Sequence, residues 1–292
     1  MLKPIILVMR LEQWVKNLFL FIPIFFAGEI FDFDKFSSLL IGFLSFCFVS
    51  SAVYILNDYN DLEVDRLHYE KRNRPLASGA ITKSTGLILL FSSLAFGVLL
   101  SLLLPIEFTW VVLIYVSLNI AYSFGLKKVS ILDLIMVSFG FILRIIAGGI
   151  ASDVYVTNWL IVMVFLLSLF IVVAKRRDDI LEYMDSGKVL RASSQQYNIQ
   201  FVNSVLTMIS GIIIVAYIMY TISPEVAVRF DTEYLYITSL FVTAGLMRYL
   251  QITLVENNSG SPIKLLYRDR FIQITIAMWL LSFFLILYAF KL

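Results

Sequence analysis

Asn57, Asp58, Asp61 and Asp65, in the stretch NDYNDLEVD, have the types and spacing to hold a hard cation. Suppose that the apolar run 37–56 continues as a helix beyond Leu56. At about 100° per residue, Asp61, Asp65 and Asp58 then fall at about 40°, 80° and 100° from Asn57, while Glu63 and Arg66 point elsewhere. Three carboxylates on one face repel one another, and a cation between them relieves that repulsion. Oxygen donors without His or Cys suit Mg2+, which is held by one or two carboxylates plus substrate phosphates. The plainer reading is a solvated helix end at a membrane rim. A second acidic face argues against it. In AKRRDDILEYMDSGK, Glu182, Lys175 and Asp179 fall at about 40°, 60° and 100° from Asp178. Two acidic patches, each beside bases, fit a Mg2+–diphosphate site in which acids hold metal and bases hold phosphate oxygens.

The bases follow the first acids directly, as Lys71, Arg72 and Arg74 in EKRNRPLASG. For Lys71 and Arg72, topology signalling, attraction to anionic lipid and phosphate binding all remain open. Arg74 precedes Pro75, which restrains its backbone and favours phosphate binding. In RLEQWVKN, Lys16 and Asn17 stand at the inner mouth of the first apolar run, and Trp14 suits an interface belt. Lys16 is either a snorkelling lysine or one turned to the bundle interior. Arg144 in FILRIIAGG lies deep in a span, where it binds substrate or pairs with an acid or helix carbonyls. Ala147, Gly148 and Gly149 beside it permit close helix packing, and Asp133 reads as structural.

These residues need a scaffold, and composition states which kind. Of 292 residues, 60% are hydrophobic and 15% charged, against about 25% charged in soluble domains. The mean hydropathy is +0.88. An all-α integral membrane bundle follows. No polar stretch is long enough to fold alone, so 1–292 reads as a single domain. The one cysteine, Cys47, excludes an internal disulfide, and the one histidine, His68, excludes a multi-His metal site. The first apolar run lacks an A-x-A cleavage site.

Nine spans are expected, at 16–31, 37–56, 86–104, 108–124, 129–151, 156–174, 201–222, 234–254 and 271–290. Nineteen of the 23 Lys and Arg then lie on one face, three on the other and Arg144 within a span. The rich face is read as cytoplasmic, with the N-terminus inside, the C-terminus outside and the protein in the inner (plasma) membrane. Both acidic stretches belong to the inner face. A transporter, by contrast, would place its acids near the midplane.

NDYNDLEVD resembles the N-D-x-x-D-x-x-x-D signature of the UbiA superfamily of intramembrane prenyltransferases. That resemblance implies nine transmembrane helices, charged cytoplasmic loops capping the active site, and a Mg2+-bound diphosphate. RLEQWVKN, NDYNDLEVDRLHYEKRNRPLASG, AYSFGLKKVSILD, FGFILRIIAGG and AKRRDD look like its polyprenyl-phosphate phosphoribosyltransferase branch. The branch implies transfer of 5-phosphoribose from 5-phosphoribosyl 1-diphosphate to a decaprenyl-phosphate-like polyprenyl phosphate. The partners expected are those two substrates and the bilayer, without nucleic acid and with a homo-oligomer left open.

The resemblance makes Asp58, Asp61, Lys16 and Asn17 the catalytic set. It gives Asn57, Asp58, Asp61, Asp65 and Asp179 to the metal. Lys16, Asn17, Lys71, Arg72, Arg74, Tyr122, Lys127, Arg144, Lys175 and Arg176 go to the substrates. The second stretch departs from the pattern, with Arg177-Asp178-Asp179 and only D-x-x-x-E from Asp178 to Glu182. Which of Asp178, Asp179 and Glu182 meets metal therefore stays open. The rival reading is a UbiA-type prenyltransferase acting on an aromatic or other acceptor.

Overall fold

The computed structural model describes residues 2–67, 71–187, 194–256, 265 and 268–286. His68, Lys188, Arg191, Lys264 and Lys291 lie outside the described residues. The described chain is helical and forms two compact units, Met1–Thr157 and Asn158–Leu292.

The first unit opens with α1 (Leu2–Met9), a 3-10 helix (Leu11–Phe21) and α2 (Ile22–Phe26). Then come α3 (Phe33–Asn60), α4 (Leu62–Leu67), a 3-10 turn (Lys71–Asn73), α5 (Lys83–Ser101), α6 (Ile106–Phe124), a 3-10 turn (Leu126–Lys128) and α7 (Leu132–Ala151). Helix starts are capped in the expected way. Asp32 accepts from the N–H groups of Asp34 and Lys35 at α3, and Thr82 from that of Thr85 at α5. α3 and α7 are the inner helices, with 61% and 72% of their apolar windows buried, whereas α5 and α6 bury 28% and 33% and leave lipid-facing sides. Leu20, Phe46, Phe108, Tyr115 and Ala147 meet in the core between them.

Small residues set the closest approaches. A Cβ on Gly97 would lie 2.6 Å from Val49, and Ser45 donates to the Gly97 carbonyl at 2.7 Å, locking α5 on α3. A Cβ on Gly148 would lie 2.1 Å from the Leu20 carbonyl oxygen. The 3-10 segment therefore lies directly on α7.

The second unit contains α8 (Asn158–Ser186), a 3-10 turn (Ser194–Gln196), α9 (Ile199–Thr221), α10 (Pro224–Phe230), a 3-10 turn (Tyr234–Thr238), α11 (Ser239–Leu254) and α12 (Arg270–Phe284). The Tyr217 hydroxyl pairs with Thr238 at 2.8 Å and accepts from the Trp279 indole at 2.7 Å, so it joins α9, the Tyr234–Thr238 turn and α12. Arg248 of α11 holds Asp269, whose other oxygen caps α12 through the Ile272 N–H.

Among the described residues seven helices are long and apolar enough to cross a membrane, not the nine expected. The expected first span is a 3-10 helix broken from α2 near Pro23, whose missing N–H suits a helix start but not a helix interior. The expected last span contributes α12 as far as Phe284, and 287–290 of that run lie outside the described residues. The molecule is a multi-pass integral membrane protein.

Candidate active site

The first unit gathers its charges around the end of α3. This helix runs past Leu56 to Asn60, pauses at Asp61 and resumes as α4, with the Asp65 N–H bonded to the Asp61 carbonyl at 2.8 Å. The break is slight, so the helical face drawn from the sequence persists. Asp58 and Asp65 are buried, at 3% and 1% exposure, and Asp61 is more open.

Three bases from three other segments neutralise these acids. Arg74 Nη1 donates to Asp58 at 2.9 Å and to Asp65 at 2.5 Å. Arg10 Nη2 donates to the same Asp58 oxygen at 2.5 Å. Lys127 Nζ donates to Asp61 at 2.5 Å and to Asn57 Oδ1 at 3.3 Å, and the Ser123 hydroxyl donates to that Oδ1 at 3.4 Å. Burial pushes the Asp65 carboxyl above its ordinary range, and Arg74 offsets only part of that.

The N-terminal segment reaches the same mouth over Tyr54, one turn before Asp58. Arg10 lies 5.1 Å from the Tyr54 ring centroid, and Lys16 Nζ donates to its hydroxyl at 3.2 Å. Arg10 has a left-handed backbone, φ 51, which costs a non-glycine residue about 1–2 kcal/mol. It joins α1 to the 3-10 segment there. Trp14 donates to Ser51 at 3.0 Å, fixing that segment along α3.

Asn17 and Arg144 form a separate, buried knot. Arg144 Nε donates to Asn17 Oδ1 at 2.8 Å, Nη1 to the Gly140 carbonyl at 2.8 Å and Nη2 to the Tyr115 hydroxyl at 2.9 Å. Asn17 turns its amide to Cys47 and Ser50, both at 3.3 Å. Of the alternatives for Arg144, this is the pairing with a helix carbonyl, made with polar side chains in place of an acid. Asp133 is fully buried. Tyr122 is half-buried, Lys71 is half-buried and Arg72 exposed.

In the second unit Lys175 is exposed, and Arg176 is buried with Nη1 on Asp179 at 3.2 Å. Arg177, also buried, donates to Asn203 of α9 at 2.8 Å. An open groove of about 920 Å3 runs along α9 past Asn203, Thr207, Gly211, Val215 and Met219. It is mostly apolar.

Sequence reasoning counted Arg10 only toward membrane sidedness and missed its place on Asp58. The available signal was that Arg10 opens the stretch RLEQWVKN. Tyr54 carried no signal, because an aromatic in an apolar run reads as packing.

Among the described residues no three His, Cys, Asp or Glu side chains are grouped to hold a metal by themselves. The donor set still fits a hard cation. Asn57 Oδ1 and Asp61 Oδ1 already converge on one cationic group, the Lys127 ammonium. Two hard oxygens around a positive centre is the arrangement that Mg2+ accepts when phosphate supplies further ligands.

The sequence model of the UbiA prenyltransferase family matches residues 18–273. The chain belongs to the UbiA prenyltransferase family. This one match spans both compact units. The chain is 28% identical over 281 residues to the decaprenyl-phosphate phosphoribosyltransferase of Mycolicibacterium smegmatis, covering 93% of this chain and 88% of that one. It is 28% identical to the Corynebacterium glutamicum protein of the same name, covering 96% and 85%. The fold matches a UbiA homolog from Archaeoglobus fulgidus, solved with DMAPP and Mg2+, at a TM-score of 0.68 and 17% identity over 96% of this chain and 98% of that one. It is thus a UbiA-family membrane transferase.

Proposed function

We propose that this UbiA-family enzyme transfers 5-phosphoribose from 5-phosphoribosyl 1-diphosphate to a polyprenyl phosphate of the decaprenyl-phosphate type, releasing diphosphate. The observation that carries this reading is the density of cations at the acidic mouth. Arg10, Lys16, Arg74 and Lys127 all stand within the contacts of Asn57, Asp58, Asp61 and Tyr54. That is more positive charge than three carboxylates need, and it suits a donor with a second phosphate besides its diphosphate. The names of the 28% identical relatives support the same choice.

Asn57, Asp58, Asp61 and Asp65 would hold Mg2+ on the donor diphosphate. When bound, Mg2+ neutralises the charge that builds on departing diphosphate. Lys127 leaves Asp61 for phosphate oxygens, as charge-assisted hydrogen bonds favour, and Arg74 adds its charge to the phosphate site from its place on Asp58 and Asp65. Lys71 and Arg72 add positive potential outside them. The bond from ribose C1 to the diphosphate oxygen breaks, and an oxygen of the lipid phosphate forms the new bond at C1. That oxygen is anionic at neutral pH, so no side chain has to remove a proton. The chain's work is orientation and electrostatic stabilisation.

Asn17 and Arg144 act by holding the 3-10 segment, and with it Lys16, against α7. In the second unit we assign Lys175 and Arg176 to phosphate and Asp179 to metal, with Asp178 and Glu182 as the alternatives for that acid. The open apolar groove along α9 has the character an isoprenoid tail requires. The Lys and Arg count supports nine crossings with the site cytoplasmic, the N-terminus inside and the C-terminus outside.

The test is a diphosphate-release assay on the purified enzyme in detergent with Mg2+. Release from the phosphoribosyl donor that depends on added polyprenyl phosphate supports the proposal. Release only from a prenyl diphosphate with an aromatic acceptor selects the rival activity.

A further inference from the structure

We infer that Arg10 is the residue that selects the donor by its second phosphate, the one remote from the diphosphate. This deepens the proposed function and rests on it.

Two guanidinium groups converge on one Asp58 oxygen, and they are not equivalent. Arg74 bridges Asp58 and Asp65, so moving it breaks two ion pairs and strands Asp65, which is 1% exposed. A buried carboxylate that loses its partner is strongly destabilised. Arg10 has Asp58 alone as its acid, and Asp58 keeps Arg74 if Arg10 departs. Of the two, Arg10 is the arginine that can be released at low cost.

Where it can go is also constrained. The Arg10 side chain is 20% exposed and lies over the Tyr54 ring, with Lys16 on the hydroxyl of that ring. Its backbone is anchored between α1 and the 3-10 segment, which Trp14 and the Arg144–Asn17 bond fasten to α3 and α7. Released from Asp58, the guanidinium stays over Tyr54, whose hydroxyl accepts from Lys16. Arg10 and Lys16 then form a two-cation pair around that ring. A planar guanidinium there meets a phosphate with two parallel N–H groups, which an ammonium cannot do. A donor with a diphosphate only has nothing to place in this pair.

The test compares two ligands on the full-length protein with Mg2+, using isothermal titration. 5-Phosphoribosyl 1-diphosphate carries the remote phosphate, and inorganic diphosphate lacks it. The wild type should bind the former more tightly. Arg10→Gln should weaken the phosphoribosyl donor by about 10–100-fold, the loss of a charged hydrogen-bonding group, and inorganic diphosphate by less than about 3-fold. Arg10→Lys keeps the charge on Asp58 and should recover only part of the preference. It serves the same comparison if Arg10→Gln does not fold. Equal losses for both ligands, or none for either, overturn the assignment. No preference in the wild type itself would instead remove the phosphoribosyl donor, and with it the proposed function.

Discussion

Arg144 Nε donates to Asn17 Oδ1 at 2.8 Å, across 127 positions of sequence and in full burial. This bond ties α7 to the 3-10 segment that carries Lys16. An intramembrane arginine costs least when its donors are satisfied inside the protein, and here Gly140 and Tyr115 take two of the others. Asn17→Leu leaves the Arg144 Nε–H without that acceptor. We expect a loss of about 1–3 kcal/mol, seen as a lower unfolding midpoint in detergent. An unchanged midpoint would mean that the bond does not hold the segment.

Gly148 makes that contact sterically feasible. An alanine methyl would sit 2.1 Å from the Leu20 carbonyl oxygen, which is backbone and has little freedom to yield. Gly148→Ala should destabilise by about 1–3 kcal/mol and lower kcat/KM by displacing Lys16. Gly211→Ala, with nothing within 4 Å of its Cβ, is the control and should not lower the midpoint.

Lys127 occupies the position between Asn57 and Asp61 that we assign to a cation. Removing it should therefore act in opposite directions on two measurements. Lys127→Met should bind Mn2+ more tightly than wild type in the absence of donor, read by electron paramagnetic resonance. The same variant should have a lower kcat/KM for the donor, by about 10-fold or more, because a phosphate partner is lost. Weaker Mn2+ binding in this variant would contradict the placement of the metal.

Asp269 predicts an acid limit on stability in the second unit. Its hydrogen bonds with Arg248 hold the carboxyl below the ordinary carboxylate range. A folded-state pKa that is depressed adds stability above the unfolded value of about 3.9, and that stability is lost as pH falls through the folded pKa. The unfolding midpoint should drop as pH is lowered below about 4. Asp269→Asn keeps a helix cap but removes the ion pair, so its midpoint should depend less on pH in that window. Parallel pH curves for the two proteins would rule the pair out as the cause.

Local features were legible in the sequence, and long-range partners were not. The helical face of Asn57, Asp58, Asp61 and Asp65 follows from periodicity, which operates over a few residues and survives the pause at Asp61. The backbone form of the first run is not legible, because hydropathy is blind to backbone hydrogen bonding. An apolar run with Pro23 in it reads as a span whether it forms one α-helix or a 3-10 helix and a short α-helix. Seven of the nine expected runs form long apolar helices among the described residues, and the other two are the first run and the last. Arg144 was visible as an intramembrane charge, but its alternatives separate only when Asn17, Gly140 and Tyr115 are placed around it. The pairings of Arg10 with Asp58 and of Lys127 with Asp61 cross 48 and 66 positions, beyond any local pattern.

The most direct test of the central claim is transfer of label to lipid. The purified enzyme would be given Mg2+, a short polyprenyl phosphate and phosphoribosyl diphosphate labelled in its ribose, and the organic phase would be counted. Our account predicts lipid-linked label that disappears with chelation and in Asp58→Asn and Asp61→Asn. Prenyl transfer to an aromatic acceptor without ribose label, or label that persists in both variants, would contradict it.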